Sequence, residues 1–411
     1  MSPRLREGRP ARYRRLPAVA AFGVAALVAV TGCAGRGGGT APGAEPPPAT
    51  TAPASPSAPA TPGPATPTPR PTGIWRMLPH APVPGSYHAA SVWTGTEMII
   101  HYLGGGSTGS MWTVDAAYNP TTNRWRMLPG SPYPVQVSEG GFRAVWTGTE
   151  MLTFGQSYAA FNPRTNRWRP IAAGPAGASV TVWTGRQVLM WGGGCCGESS
   201  AAGWAYDPQS NTWRTLPAAP LSGRHANGVW TGREMIVVGG TNDSGSLTDG
   251  AAYNPTSRTW RKLPSLPAPR SYATLTWTGT EVLLVGGVEW DHGTYRMYKD
   301  GFAYSPTTNR WRHLPDMAMP RSQHMAVWTG RQLLVWGGVT TPYDSRRESF
   351  ATPPHGVAYT PATNQWSALP RAPLRGRTDA AAVWTGREMI IWGGQTADAG
   401  ASDGAAYRPP V

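Results

Sequence analysis

The chain has 411 residues and a formal charge of +14, from 36 lysines and arginines against 22 acids. Residues 1–33 hold +5 of that charge and residues 34–72 hold +1, leaving +8 for the remainder, where no dense basic run occurs. This argues against nucleic acid as a partner, while a mild excess on a large body favours anionic partners such as acidic polysaccharide or lipid head groups.

In chain order the first element reads as an export signal. Arg4, Arg6, Arg9, Arg12, Arg14 and Arg15 form a basic region, and Leu16 to Val30 supply an apolar stretch that is short for a membrane span. The stretch ends in Val30-Thr31-Gly32-Cys33. That ending resembles the lipobox of bacterial lipoproteins, in which small residues precede a cysteine that takes diacylglycerol. The resemblance implies a signal peptide over residues 1–32 and lipidation of Cys33. Residues 34–72 are mostly Pro, Ala, Thr and Gly, which cannot bury a core and are expected to stay extended. At ~3.1 Å per residue in the polyproline conformation, such a linker reaches roughly 100 Å.

Beyond the linker one phrase recurs seven times: an apolar strand ending in Trp-Thr-Gly, then a second strand that usually stops at paired glycines. Its tryptophans are Trp93, Trp146, Trp183, Trp230, Trp277, Trp328 and Trp384, spaced 37 to 56 residues apart. Self-similarity at this period predicts propeller blades of four strands each. Glycine pairs follow the second strand, as at Gly239-Gly240 and Gly393-Gly394, and the third strand centres on an aromatic, from Tyr118 to Tyr407. The fourth strand carries a second Trp: Trp125, Trp168, Trp213, Trp260, Trp311 and Trp366. The seventh of these is Trp75, upstream of the first unit, so residues 74–78 are predicted to complete the last blade and tie the ring shut. Asp115, Asp249, Asp300 and Asp403 open third strands and read as turn-stabilising carboxylates.

Paired glycines after the second strand, a Tyr in the third and a Trp in the fourth resemble kelch repeats, over residues 74–411. The resemblance implies an all-β, seven-bladed kelch-type propeller over 73–411, closed by its N-terminal strand, behind a signal peptide (1–32) and a lipidated Cys33 with linker (33–72). Unit two departs from the pattern, with Gly155-Gln156 in place of the glycine pair. Unit one stretches to Leu103-Gly104-Gly105-Gly106, which predicts a bulge or register change. The galactose oxidase catalytic domain is also a seven-bladed kelch propeller, and its copper site uses two Tyr, two His and a Cys crosslinked to one Tyr. No such set carries over, because Cys195 and Cys196, the cysteines within the repeats, are adjacent. Their pairing as a vicinal disulfide is expected in an oxidising exterior.

A four-stranded meander places the first-to-second and third-to-fourth turns on one face of the disc, and the second-to-third loops and blade crossings on the other. The first kind are nearly uniform in length and read as structural. The second vary widely, and long loops on a rigid scaffold are where binding groups sit. Loop five offers Trp290, His292, Tyr295 and Arg296, together with Tyr298, and loop six offers Tyr343, Arg346 and Arg347. A further set precedes the repeat Trp by five residues: His88, His225, Tyr272, Gln323 and Asp379. Innermost strands line the channel, so this set is expected to form a polar ring at its mouth. Arg224, Arg270, Arg321 and Arg377 lie just before it and read as ties to the backbone.

The function expected is a non-catalytic recognition module for a glycan, envelope component or protein, monomeric and lipid-anchored on the extracytoplasmic face of a bacterial cell membrane. No cofactor is expected. The alternative is a carbohydrate-active enzyme, either a galactose-oxidase-like copper oxidase or a kelch-type sugar epimerase.

Overall fold

The computed structural model describes residues 73–86, 88–105, 111–133, 143–155, 158–175, 177–194, 199–291, 294–341, 351–397 and 399–410. Within them lie seven antiparallel sheets built on a four-strand meander, the fourth with a short added strand, Gly245–Ser246, and one separate two-stranded hairpin. Blade 1 runs Ala90–Trp93, Met98–Gly105, Met111–Asn119 and Arg124–Met127, and blades 2 to 6 repeat that order. Blade 7 takes Ala381–Trp384, Met389–Trp392 and Gly404–Arg408 from the end of the chain and its outermost strand, Ile74–Met77, from the beginning. Ile74 pairs with Arg408 and Met77 with Ala405. Each innermost strand touches its two neighbours, and Ala381–Trp384 touches Ala90–Trp93, so the ring is closed.

Burial follows each strand's place in its blade. In the second strands, such as Met151–Phe154 and Leu333–Trp336, every residue is buried, because both sheet faces meet neighbouring blades. The outermost strands are open at both ends and half-covered in the middle, exposing Thr259 and Lys262 while half-burying Trp260 and Arg261. Each third-strand aromatic meets the fourth-strand tryptophan of its own blade, with ring centroids 4.9–5.1 Å apart in all seven. The same indoles then reach sideways. Their Nε1–H groups donate to a backbone carbonyl just past the preceding blade's fourth strand at 2.7–3.0 Å, from Trp125 onto Pro79 around to Trp75 onto Pro370. The recurrent Leu-Pro after that strand is thereby explained, because the carbonyl it leaves free receives the next blade.

The uniform face is held by two repeated devices. In the Trp-Thr-Gly turns the threonine hydroxyl accepts the N–H of the residue three further on, as Thr94 does from Glu97 at 2.9 Å. The glycine has φ near +90°, for example 96° at Gly95, with open space where a Cβ would be, so backbone conformation alone requires glycine. The acid that follows pairs with the arginine after the fourth-strand Trp, through two hydrogen bonds for Glu97 with Arg126, Glu150 with Arg169, Glu234 with Arg261 and Glu281 with Arg312, and through one for Glu388 with Arg76. Several of these arginines also reach the next blade's tyrosine hydroxyl and turn asparagine, as Arg261 does at Tyr304 and Asn309.

One junction is defective. Where blades 1, 2, 3, 5 and 6 place Asn at φ 52–55° in the third turn, blade 4 has Arg258 at φ 58°. Its neighbours Tyr253 Oη and Arg214 Nη1 are buried and without a hydrogen-bond partner. Asparagine adopts the left-handed conformation more readily than arginine, and its Oδ1 would accept from both groups. Arg258→Asn is expected to stabilise the propeller by about 1–2 kcal/mol, read as a higher urea midpoint. An unchanged midpoint would show that the two orphaned groups carry no penalty.

Unit one shows the predicted irregularity as a lengthened hairpin rather than a bulge: Met98–Gly105 pairs continuously with Met111–Asn119. Asp115 consequently lies inside its strand and does not open it. It faces His101 across the pair, Nδ1 to Oδ1 2.6 Å, with both side chains fully buried.

Candidate binding face

The variable face is organised by the glycine pairs. In blade 4, Gly239 and Gly240 have φ of 64° and 94°, and a Cβ on Gly240 would stand 2.3 Å from the His225 carbonyl. In four of the pairs the second glycine donates its N–H to the carbonyl of an arginine at the start of the next blade, Gly193 to Arg224, Gly240 to Arg270, Gly287 to Arg321 and Gly338 to Arg377, at 2.7–2.9 Å, while Gly394 donates to the Ser86 carbonyl. The same arginine's guanidinium turns back to the first glycine carbonyl of its own blade. It then pairs with the acid before the third strand: Arg224 with Asp249, Arg270 with Asp300, Arg377 with Asp403. These arginines and acids are structural ties, as expected from sequence. Blade 6 has His355 at the acid position, and burial pulls the Arg321 guanidinium down to about 10.

Loop five is itself a hairpin, Val288–Asp291 against Thr294–Met297. The Trp290 N–H donates to Ser246 Oγ at 2.9 Å, so the hairpin leans on blade 4 and its indole is half-buried. Tyr298, expected at the loop surface, is instead buried: its ring stacks 4.0 Å from the Arg270 guanidinium and its hydroxyl donates to Glu289. The tyrosine ring adds a cation–π contact to the Arg270–Asp300 pair, which, among the described residues, the equivalent arginines of the other blades do without. Tyr295 and Arg296 remain exposed at the tip. His292, all of Tyr343, Arg346 and Arg347, and the Cys195-Cys196 pair lie outside the described residues, as does Cys33.

The channel mouth carries the feature that sets this face apart. Tyr272, Gln323 and Asp379, equivalent positions in blades 5, 6 and 7, all have left-handed backbone, with φ of 53°, 54° and 50°. They are linked around the rim, Gln323 N–H to the Tyr272 carbonyl at 3.1 Å and Asp379 N–H to the Gln323 carbonyl at 3.3 Å. Tyr272 is 51 % exposed, yet the surrounding channel walls push its phenol up, with Asp379 and Tyr295 adding to the rise. Burial also raises the Asp379 carboxyl, while His88 from blade 1 and the Thr378 hydroxyl pull it back. Four of the five predicted rim groups are thus brought together across consecutive blades. His225 stands exposed at the start of His225–Trp230, before a break in register at Asn227. A cavity of about 550 Å³ opens further out, between the blade 6 and blade 7 loops, lined in part by Thr352, Arg371, Leu374 and Thr396.

Two recurrent features of the chain bear on the fold without having been expected from its sequence, although repetition alone could have revealed them. Glu stands four residues after the repeat Trp in units 1, 2, 4, 5 and 7, with Gln187 and Gln332 in the other two; an arginine follows the fourth-strand Trp in every blade but the sixth, which has Ser367; and His324 sits where no other blade has a histidine. Among the described residues no three His, Cys, Asp or Glu side chains are grouped so as to hold a metal ion.

A closed ring of seven kelch-type blades, with one uniform face and one variable face, is the architecture of a recognition propeller. A family model described as the Attractin/LZTR1 beta-propeller matches residues 156–399, more than half of the 411, and the chain belongs to that family. No curated protein matches it.

Proposed function

We propose that the protein is a lipid-anchored recognition module that binds a polyhydroxylated ligand, such as an envelope glycan, at the channel mouth on its variable face. The observation that carries this reading is the run of three non-glycine residues in left-handed backbone, Tyr272, Gln323 and Asp379. A left-handed L-residue costs about 1–2 kcal/mol, and such strain concentrates where function retains it. The groups presented there suit a sugar: an open aromatic ring for its apolar face, and a carboxylate, an amide and the His88 imidazole for its hydroxyls. Acylation of Cys33 would hold the head on the extracytoplasmic side of the membrane.

A glycan array probed with the mature chain tests the reading. Tyr272→Ala and Asp379→Asn are each expected to weaken a detected ligand by at least about tenfold, the loss of one good contact. Wild-type binding by both variants would sink it. A protein partner is the second reading, favoured by exposed Tyr295 and Arg296 on the loop-five hairpin, residue types that anchor interfaces.

A further inference from the structure

The uniform face is not electrically neutral. Arg186, Arg233, Arg331 and Arg387 follow the glycine of four Trp-Thr-Gly turns, and all four are exposed. The third-to-fourth turns at 119–124, 162–167, 254–259 and 305–310, together with residue 408, add six more exposed arginines. Every glutamate on this face already holds a fourth-strand arginine. Among the described residues of these turns the one other acid is Asp207, whose Oδ1 accepts the Gln209 N–H. Ten arginines against one carboxylate exceed the +8 of residues 73–411 as a whole, so the positive charge of the head is gathered on this face and the rest is close to neutral.

The chain enters the propeller on the same side. Ile74 begins an outermost strand opposite Arg408, so the first described residues lie at the arginine face. The face is built of short turns of equal length, and among its described residues no aromatic side chain is exposed for stacking on nucleic acid bases. A broad basic surface next to the tether fits an extended anionic plane better than a strand.

We infer that the arginine face docks on the anionic head groups of a phospholipid bilayer, leaving the channel mouth pointed away from the membrane. The orientation rests on the lipid-anchor reading; the binding itself does not. The test uses the chain from residue 33 with Cys33→Ser, which cannot be acylated and retains the whole ring of residues 74–408. It is expected to sediment with vesicles containing phosphatidylglycerol, to stay in solution with phosphatidylcholine alone, and to be released by salt. Combined Arg186→Thr, Arg233→Thr, Arg331→Thr and Arg387→Thr should weaken that binding by at least about a hundredfold. Threonine already stands at the same turn position in Thr96, Thr149 and Thr280, so the fold is retained, which an unchanged melting temperature would verify. Equal binding to neutral vesicles, or no loss in the fourfold variant, would overturn the inference. So would retention on heparin or duplex DNA without vesicle binding, which would make the face a reader of soluble polyanions. The anchor is read separately, from the mass of the Cys33 peptide in wild-type protein, so either claim can fail alone.

Discussion

Trp75→Ala lowers the stability of the propeller by about 3 kcal/mol, as much as losing a tryptophan from any internal blade. Trp75 lies at the very start of the propeller, where a terminal side chain would ordinarily be dispensable. Here its ring packs 5.0 Å from Tyr407 and 6.0 Å from Trp336, and its Nε1–H donates to Pro370 of blade 6 at 2.9 Å. The side chain therefore joins the first strand to the last blade and that blade to its neighbour. Trp75→Phe keeps most of the packing and loses the hydrogen bond, and its expected cost is about 1 kcal/mol. Urea unfolding measures both. Hydrogen exchange adds a local readout: amides of Gly404–Arg408, paired with Ile74–Met77, should lose protection first in Trp75→Ala. A stability change within about 0.5 kcal/mol would mean that residues 74–77 do not close the ring.

Acid is expected to attack the ring at one histidine. His324 is wedged between blades 5 and 6, with Nε2 2.9 Å from Thr274 Oγ1 and Nδ1 buried without a partner. Burial, reinforced by the charge of Arg321, pulls its imidazole down to about 3 from an ordinary value of 6.5. The sign follows from proton counting. Below pH 6.5 the unfolded chain binds a proton at this site while the folded chain does not, so stability falls as pH falls, down to about pH 3. The slope from this one group is about 1.4 kcal/mol per pH unit. His324→Gln keeps a polar contact to Thr274 without a titrating ring. Its stability relative to wild type should improve by about 2 kcal/mol between about pH 6.5 and pH 4.5, measured by urea unfolding at each pH. A difference independent of pH would show that the imidazole is protonated or hydrated in the folded state.

The ring, the blade count and its closure were legible in the sequence because each rests on residues that repeat: a tryptophan ending the first strand, a Thr-Gly turn, a tryptophan in the fourth. Repetition also revealed the arginine and aspartate ties of the variable face. What it hid is equally specific. Asp115 looked like the other third-strand acids, but the hairpin of unit one runs on past the glycines, so the residue falls within its strand opposite His101. Tyr298 read as an exposed loop aromatic because its role, covering Arg270, depends on a residue 28 positions away. The left-handed backbone at Tyr272 and Gln323 left no trace, since neither is a residue that usually marks it, and a lone Asp379 is too common in other roles to signal it. The charge of the uniform face was hidden for a different reason: its arginines are scattered through the sequence and become a patch only when the turns are stacked around a ring.

Ligand binding by paired variants of the two faces decides between them most directly. Once an array identifies a ligand, its affinity is compared for wild type, for Tyr272→Ala with Asp379→Asn, and for the fourfold arginine-to-threonine chain. The channel-mouth variant should lose the ligand while the arginine variant binds it as wild type does. The reverse pattern, with the mouth variant unaffected and the arginine variant inactive, would contradict the assignment of recognition to the strained rim.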